Sequence, residues 1–239
     1  MRIRILGIGM GPQHVTAEVA QALRGCDYVL AVEKRPGDEL AGVRGAVCAA
    51  YAVPLVTVPD PARDRSAGLT HAEYSSAVVD WHDARAAAYR QVLEQRDGTV
   101  GFLVWGDPAL YDSTIRVVER LDVDFDVLPG ISAPQVLAAR HRIVLHEIGR
   151  PVHVTTARLL REAVAAGQDN IVVMLGGAPD LAELAEWSIW WGANLGTTSE
   201  ELVAGRVHEV TPEIEAARER AKANAGWVMD VYLLRRAAG

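Results

Sequence analysis

Short apolar runs alternate with amphipathic stretches along this chain, and glycine, proline or aspartate bounds most of the runs. Apolar runs of four to eight residues between turn residues read as buried strands, while apolar positions spaced by three and four read as helices packed on them. The pattern predicts strands at Ile3–Leu6, Tyr28–Val32, Pro54–Val58, Thr99–Trp105 and Phe125–Leu128. Between them it predicts helices from about Thr16 to Arg24, Glu39 to Ala50, Thr70 to Gln95 and Thr114 to Leu121. Gly25 stands where a helix C′ glycine belongs, and Thr70-His71-Ala72-Glu73 reads as a capping box. Regular alternation of strand and helix implies a parallel sheet.

From Ser132, which reads as the cap of a helix running to His141, the segments shorten. Strands are predicted at Pro151–Thr155, Asn170–Leu175, Ser188–Trp191 and Trp227–Leu234, with helices at Ala157–Ala165, Pro179–Glu186 and Pro212–Asn224. No Pro/Ser-rich linker marks a boundary. The break is expected near Leu121–Gly130, giving an N-terminal α/β domain over residues 1–125 and a C-terminal α/β domain over 126–239.

Three strand-to-helix turns carry the candidate chemistry: Gly7-Ile8-Gly9-Met10-Gly11-Pro12, Gly106-Asp107-Pro108 and Pro129-Gly130-Ile131-Ser132. Ligands of parallel sheets bind at the carboxyl ends of the strands, where such turns lie. The first turn resembles half of a dinucleotide fingerprint, and Glu33 follows at roughly the 20-residue spacing of a ribose contact. Pro12 then occupies the place of the third glycine, where a ring without an N–H can neither bind pyrophosphate nor allow close packing of helix on strand. An NAD-dependent enzyme is therefore disfavoured. Asp107 has two readings, an Asx-turn that shapes the backbone or a carboxylate facing the cationic part of a ligand.

Composition narrows the rest. At 239 residues the chain buries a sizeable core without staples, and its 50% hydrophobic and 23% charged content is that of a globular protein. A formal charge of −7 argues against a broad nucleic-acid footprint. Cys26 and Cys48 lack metal-ligand spacing, so no metal site is expected and a reducing, cytoplasmic setting fits. No apolar run reaches the roughly 18 residues of a membrane span, and no signal-peptide pattern opens the chain, so no membrane partner is expected.

In their order and residues the three turns resemble those of the tetrapyrrole (corrin/porphyrin) methylases, and the similarity runs from Ile3 to about Arg235. Within that family, Val104-Trp105-Gly106-Asp107-Pro108-Ala109-Leu110-Tyr111-Asp112-Ser113, Ala139-Arg140-His141-Arg142-Ile143, Ile189-Trp190-Trp191-Gly192-Ala193 and Trp227-Val228-Met229-Asp230-Val231-Tyr232 resemble the members that act on precorrin-5 in cobalamin biosynthesis. The chain departs from them at Gly176-Gly177, where an acidic residue is expected after Leu175. The resemblance implies two α/β domains of the tetrapyrrole methylase type, with a mainly parallel sheet in the first and a mixed sheet in the second. It implies S-adenosyl-L-methionine as methyl donor in the cleft between them, a small-molecule tetrapyrrole substrate and a homodimer. Carried over by position, the donor contacts are Pro12, Trp105, Gly106, Asp107, Leu110, Ser132, Ala133 and Leu175. The implied reaction methylates ring carbon C-1 and releases the acetyl group as acetate, giving precorrin-6A and S-adenosylhomocysteine.

Methyl transfer from a sulfonium asks mainly for in-line positioning. Hydrolytic loss of an acetyl group also asks for a general base and an oxyanion donor. His14, His82, Asp83, Asp112, His141 and Asp230 have suitable side chains, and the sequence leaves the choice among them open. Trp81-His82-Asp83 equally fits the half-exposed face of the long helix. A substrate with many carboxylates needs cations from this acidic protein, and Lys34, Arg35, Arg63, Arg65, Arg140 and Arg142 lie on or near predicted loops. Trp190, Trp191 and Trp227 read as core or interface more than as ring-stacking partners. The competing readings are a methylase for another corrinoid intermediate, an RNA or protein methylase of the same fold, and a donor-binding protein without catalysis.

Overall fold

The computed structural model describes residues 1–33, 39–62, 71–176 and 181–236. Thr70, which opens the expected capping box, and Pro179, the expected start of a helix, lie outside these residues. The described chain divides into two units, residues 1–131 and 132–239.

Unit 1 contains β1 (Arg2–Gly7), α1 (Ala17–Arg24), β2 (Tyr28–Glu33), α2 (Glu39–Ala50), β3 (Leu55–Pro59), α3 (His71–Leu93), β4 (Thr99–Val104), α4 (Thr114–Val118) and β5 (Phe125–Leu128). Its five strands form a parallel sheet in the order β3-β2-β4-β1-β5. Alternate strand residues point to opposite faces. Leu6, Ile8, Val29 and Leu103 pack with Val19 and Leu23 of α1 and Val47 of α2. Ile3, Ile5, Leu30 and Phe102 pack with Tyr89 and Leu93 of α3 and Val117 of α4. Neighbouring β1 and β4 are thus followed by helices on opposite faces, which leaves their carboxyl ends open as a crevice. α1 starts where the sequence indicates, with the Thr16 hydroxyl accepting from Val19 N at 3.2 Å.

Unit 2 contains α5 (Ala133–His141), β6 (His153–Thr156), α6 (Leu160–Ala165), β7 (Asn170–Gly176), β8 (Ser188–Ala193), β9 (Glu201–Arg206), α7 (Val207–Ala225) and β10 (Asp230–Arg235). The sheet runs β6-β7-β10-β8-β9, parallel only between β6 and β7 and antiparallel elsewhere. It is therefore mixed, as expected. Its core joins Ile171, Ile189, Trp191 and Tyr232 to Ile214, Ala217 and Ala221 of α7.

β5 pairs with β1, so the first unit runs to Ile131. Several expectations need correction. β9 was not expected, because Gly205 interrupts its apolar pattern; a Cβ there would lie 2.4 Å from Val210 Cγ1. α7 begins at Val207, not Pro212. No capping side chain announces it, since Trp187 O and Ala185 O accept from Val207 N and His208 N at 2.9 and 3.1 Å. Trp227–Met229 lies outside β10, and Asn194 binds it instead, through Met229 N to Oδ1 at 2.9 Å and Nδ2 to Trp227 O at 3.2 Å.

Candidate functional site

The turns after β1 and β4 are bonded to each other. Ile8 N donates to Val104 O at 2.9 Å, then Gly9 N donates to Gly106 O at 3.2 Å and Gly106 N to Gly9 O at 2.8 Å. Gly9 and Gly106 both have left-handed φ, 67° and 75°, which side chains adopt at a cost. The turn after β5 closes on the same place. A Cβ on Gly130 would lie 2.1 Å from Gly106 O, and one on Gly7 would lie 2.4 Å from Gly130 N. These are backbone-to-backbone contacts, so glycine is required whether or not a ligand is present.

Asp107 fastens this junction. Its Oδ1 accepts from Ala109 N at 2.8 Å and its Oδ2 from Gly130 N at 2.9 Å. The first bond is the Asx-turn read from sequence, and the second ties the β4 turn to the β5 turn. Both oxygens are engaged in bracing the loops. Half-buried Trp105 stands beside it, with an enclosed indole Nε1 that makes no hydrogen bond among the described residues. Leu110 N donates to Asp107 O at 3.2 Å. Exposed Pro12 opens a short 3-10 turn, Pro12–His14, between the glycines and α1. The start of α1 thus does not follow the glycine turn directly, as it does where a helix terminus holds pyrophosphate. His14 is held against the same turn, for a Cβ on Gly9 would fall 2.4 Å from its own Cβ.

The other acid–base candidates of unit 1 have partners of their own. His82 is buried on α3 with its ring 5.4 Å from that of Trp81. Asp83 is an exposed ion-pair partner of Arg120 at 2.6 Å. Asp112 Oδ1 accepts from Thr114 N at 2.6 Å and so caps α4. Lys34, Arg35, Arg63 and Arg65 lie outside the described residues. Sequence reasoning missed the pairing of Arg85 with Asp60 at 2.8 and 2.9 Å, with the guanidinium 3.9 Å from the Trp81 ring centroid, which fixes the end of β3 to α3. Asp60 sits on a loop and Arg85 inside a helix, and nothing in their spacing signals contact.

In unit 2, Ser132 is enclosed at the start of α5, where Gln135 Oε1 accepts from its N and its Oγ at 2.8 and 2.9 Å. Its hydroxyl proton serves this capping arrangement. Ala133, the first residue of α5, is buried. His141 closes α5 with Nε2 donating to Trp191 O at 3.0 Å, which leaves Nδ1 as the basic nitrogen of the neutral ring. Arg140 pairs with Glu200 at 2.8 Å, and Arg142 is exposed with φ 56°. Trp191 is wholly core, as expected. Leu175 has φ 53° and is 58% exposed, an unusual state for leucine. Asp230 is enclosed against Arg218, whose Nε donates to Oδ2 at 3.0 Å; burial pushes its carboxyl above the ordinary range, and Arg218 and the Trp191 indole only partly offset this. Gly177 lies outside the described residues.

Comparison with known proteins places these features in context. The family model described as Tetrapyrrole (Corrin/Porphyrin) Methylases matches residues 2–211. A precorrin-6A synthase [deacetylating] from a Sinorhizobium species is 42% identical over 254 residues, spanning 99% of this chain and 96% of that protein. Among solved structures, a cobalamin synthesis related protein (CobF) from Corynebacterium diphtheriae is 35% identical with a TM-score of 0.84, and each chain is fully covered. The uroporphyrin-III-C-methyltransferase from Thermus thermophilus shares the fold at a TM-score of 0.62 and 20% identity, over 98% of this chain and 92% of that one.

Proposed function

This chain belongs to the tetrapyrrole (corrin/porphyrin) methylase family, and from that premise we propose that it is a precorrin-6A synthase of the deacetylating type. It transfers a methyl group from S-adenosyl-L-methionine to C-1 of precorrin-5 and releases the acetyl group as acetate, as a step of cobalamin biosynthesis. The observation that carries this reading is the 42% identity to an enzyme of that name along nearly the whole of both chains.

The geometry of unit 1 supports a donor site. Three glycine backbones packed together fix the turns at the strand ends, where ligands of such sheets bind. Pro12, Trp105, Gly106, Leu110 and the backbone of Asp107 carry the contacts, while the Asp107 carboxylate braces the turn and Trp105 Nε1 offers a donor. In unit 2 the candidates are Ser132, Ala133 and Leu175, and with the Ser132 proton used in the cap, its contact is through backbone or lone pairs. For deacetylation, Asp83 and Asp112 are the weaker candidates, since Arg120 and Thr114 N already engage them. His14, beside the glycine turn, is the first choice to activate water.

Titration calorimetry with S-adenosylhomocysteine and with NAD tests the donor half of this reading. Binding of the adenosyl ligand alone is expected. Heat from NAD and none from S-adenosylhomocysteine would overturn it.

A further inference from the structure

A buried polar cluster sits where β10 begins, in unit 2. The Asp230 side chain is fully enclosed, and only its Oδ2 is engaged, by Arg218 of α7. Its Oδ1, the Trp191 indole Nε1 and the Tyr232 hydroxyl are also enclosed and find no partner at ordinary hydrogen-bond geometry among the described residues, although the indole lies near enough to the carboxyl to favour its charged form. These groups are neighbours. Tyr232 and Trp191 are opposite each other in the β8–β10 register, and Asp230 is two residues along β10 on the same face. Three buried polar groups without partners are costly, and a nearby trio of this kind is the ordinary setting of an internal water, which makes about three bonds. The chemistry matches one molecule: the carboxylate accepts, the indole donates and the phenol does either.

The cluster lies under a strained piece of backbone. Asp230 pairs with Gly176 but Val231 pairs with Met174, so Leu175 is the extra residue of a β-bulge. The ring of Tyr232 supports that bulge, since a Cβ on Gly176 would lie 3.4 Å from its Cε1 and 4.0 Å from its hydroxyl. A leucine with left-handed φ whose side chain faces outward persists only where its surroundings hold it, and such strain gathers at ligand-contact sites.

We propose that Asp230, Trp191 and Tyr232 bind one internal water, and that this hydrated cluster, anchored by Arg218, is the positioning device that holds the Leu175 bulge in its ligand-presenting conformation. The second half rests on the methylase reading, in which Leu175 touches the donor. Tyr232 then acts through Leu175 and not on the reacting atoms.

High-resolution crystal structures of the wild type and of Tyr232→Phe, together with calorimetry and urea unfolding, test it. The wild type should show a water within hydrogen-bond distance of all three atoms. Tyr232→Phe keeps the ring under Gly176, so its urea midpoint should stay close to that of the wild type while the water is lost and the bulge relaxes. Its affinity for S-adenosylhomocysteine should fall about fivefold, the effect of losing one neutral hydrogen bond. Density with no water among the three atoms would overturn the first half. An unmoved bulge in the variant would overturn the second, whatever the ligand does, and so would unchanged affinity. A wild type that binds no S-adenosylhomocysteine would instead count against the methylase reading, with the water and the bulge still decided by the two structures.

Discussion

Replacing Asp107 separates bracing from ligand contact at the glycine turns. The carboxylate accepts two backbone N–H bonds, one from Gly130 that is half-enclosed and one from Ala109 that is exposed. A bond of this kind to a charged group contributes ~1.5–3 kcal/mol where it is shielded and less where water competes, so about 1.5 for Gly130 and about 0.5 for Ala109 are reasonable. Asp107→Ala loses both, about 2 kcal/mol, which lowers the unfolding midpoint of a chain this long by ~4–8 °C. Asp107→Asn keeps one acceptor oxygen and turns an amide N–H toward the other donor, so its loss should be about half as large. Differential scanning fluorimetry of the three proteins gives the order, and S-adenosylhomocysteine titration of the same samples gives the cost to binding. Affinity is expected to fall in step with stability, because loosening the β4 turn from the β5 turn disorders the strand ends. An Asp107→Ala protein with the wild-type midpoint that has nevertheless lost the ligand would refute the bracing role and make Asp107 a direct contact. Gly106 is a poorer probe, since a β-branched residue at φ 75° is strained without any ligand.

Other residues give independent checks. Gly130→Ala puts a methyl group 2.1 Å from Gly106 O, a backbone atom, so it should cost about 3 kcal/mol or more in urea unfolding, and a near-neutral variant would refute the interlocked turns. Burial raises the Asp230 carboxyl above its unfolded value, so the folded state holds that proton more tightly. Its contribution to stability is therefore present on the acid side and is lost as pH rises from about 4 through the raised value, and Asp230→Asn should remove this decline. Parallel pH profiles of the urea midpoint for the two proteins would contradict it. Burial pushes both Cys26 and Cys48 up to about 11, so neither should react with a thiol reagent at pH 8 until the protein unfolds, and rapid labelling of the native protein would count against their enclosure.

The first sheet was legible because its strands are short apolar runs closed by glycine or proline, and each helix between them has the spacing of a buried stripe. Unit 2 was less so. β9 contains a glycine that lets α7 approach, and α7 begins on carbonyls of Ala185 and Trp187, which leave no trace in its own sequence. The glycine turns were found as a motif, but their interlocking was not. It depends on the order in which β4, β1 and β5 lie side by side, a tertiary fact that the three segments do not encode separately. The same applies to the acid–base candidates. Asp83 and Asp112 are typical bases by residue type, yet their partners, Arg120 and Thr114 N, already occupy them.

The central claim is the coupling of methyl transfer to deacetylation. It is tested most directly by incubating the protein with precorrin-5 and S-adenosylmethionine labelled in the methyl group, and measuring label in the corrinoid and free acetate over the same time course. One acetate should be released for each methyl group transferred, with a product of the mass of precorrin-6A. Methyl transfer without acetate would contradict the deacetylating assignment and point to another corrinoid as the substrate, and no transfer in a protein that binds S-adenosylhomocysteine would leave a donor-binding protein without this activity.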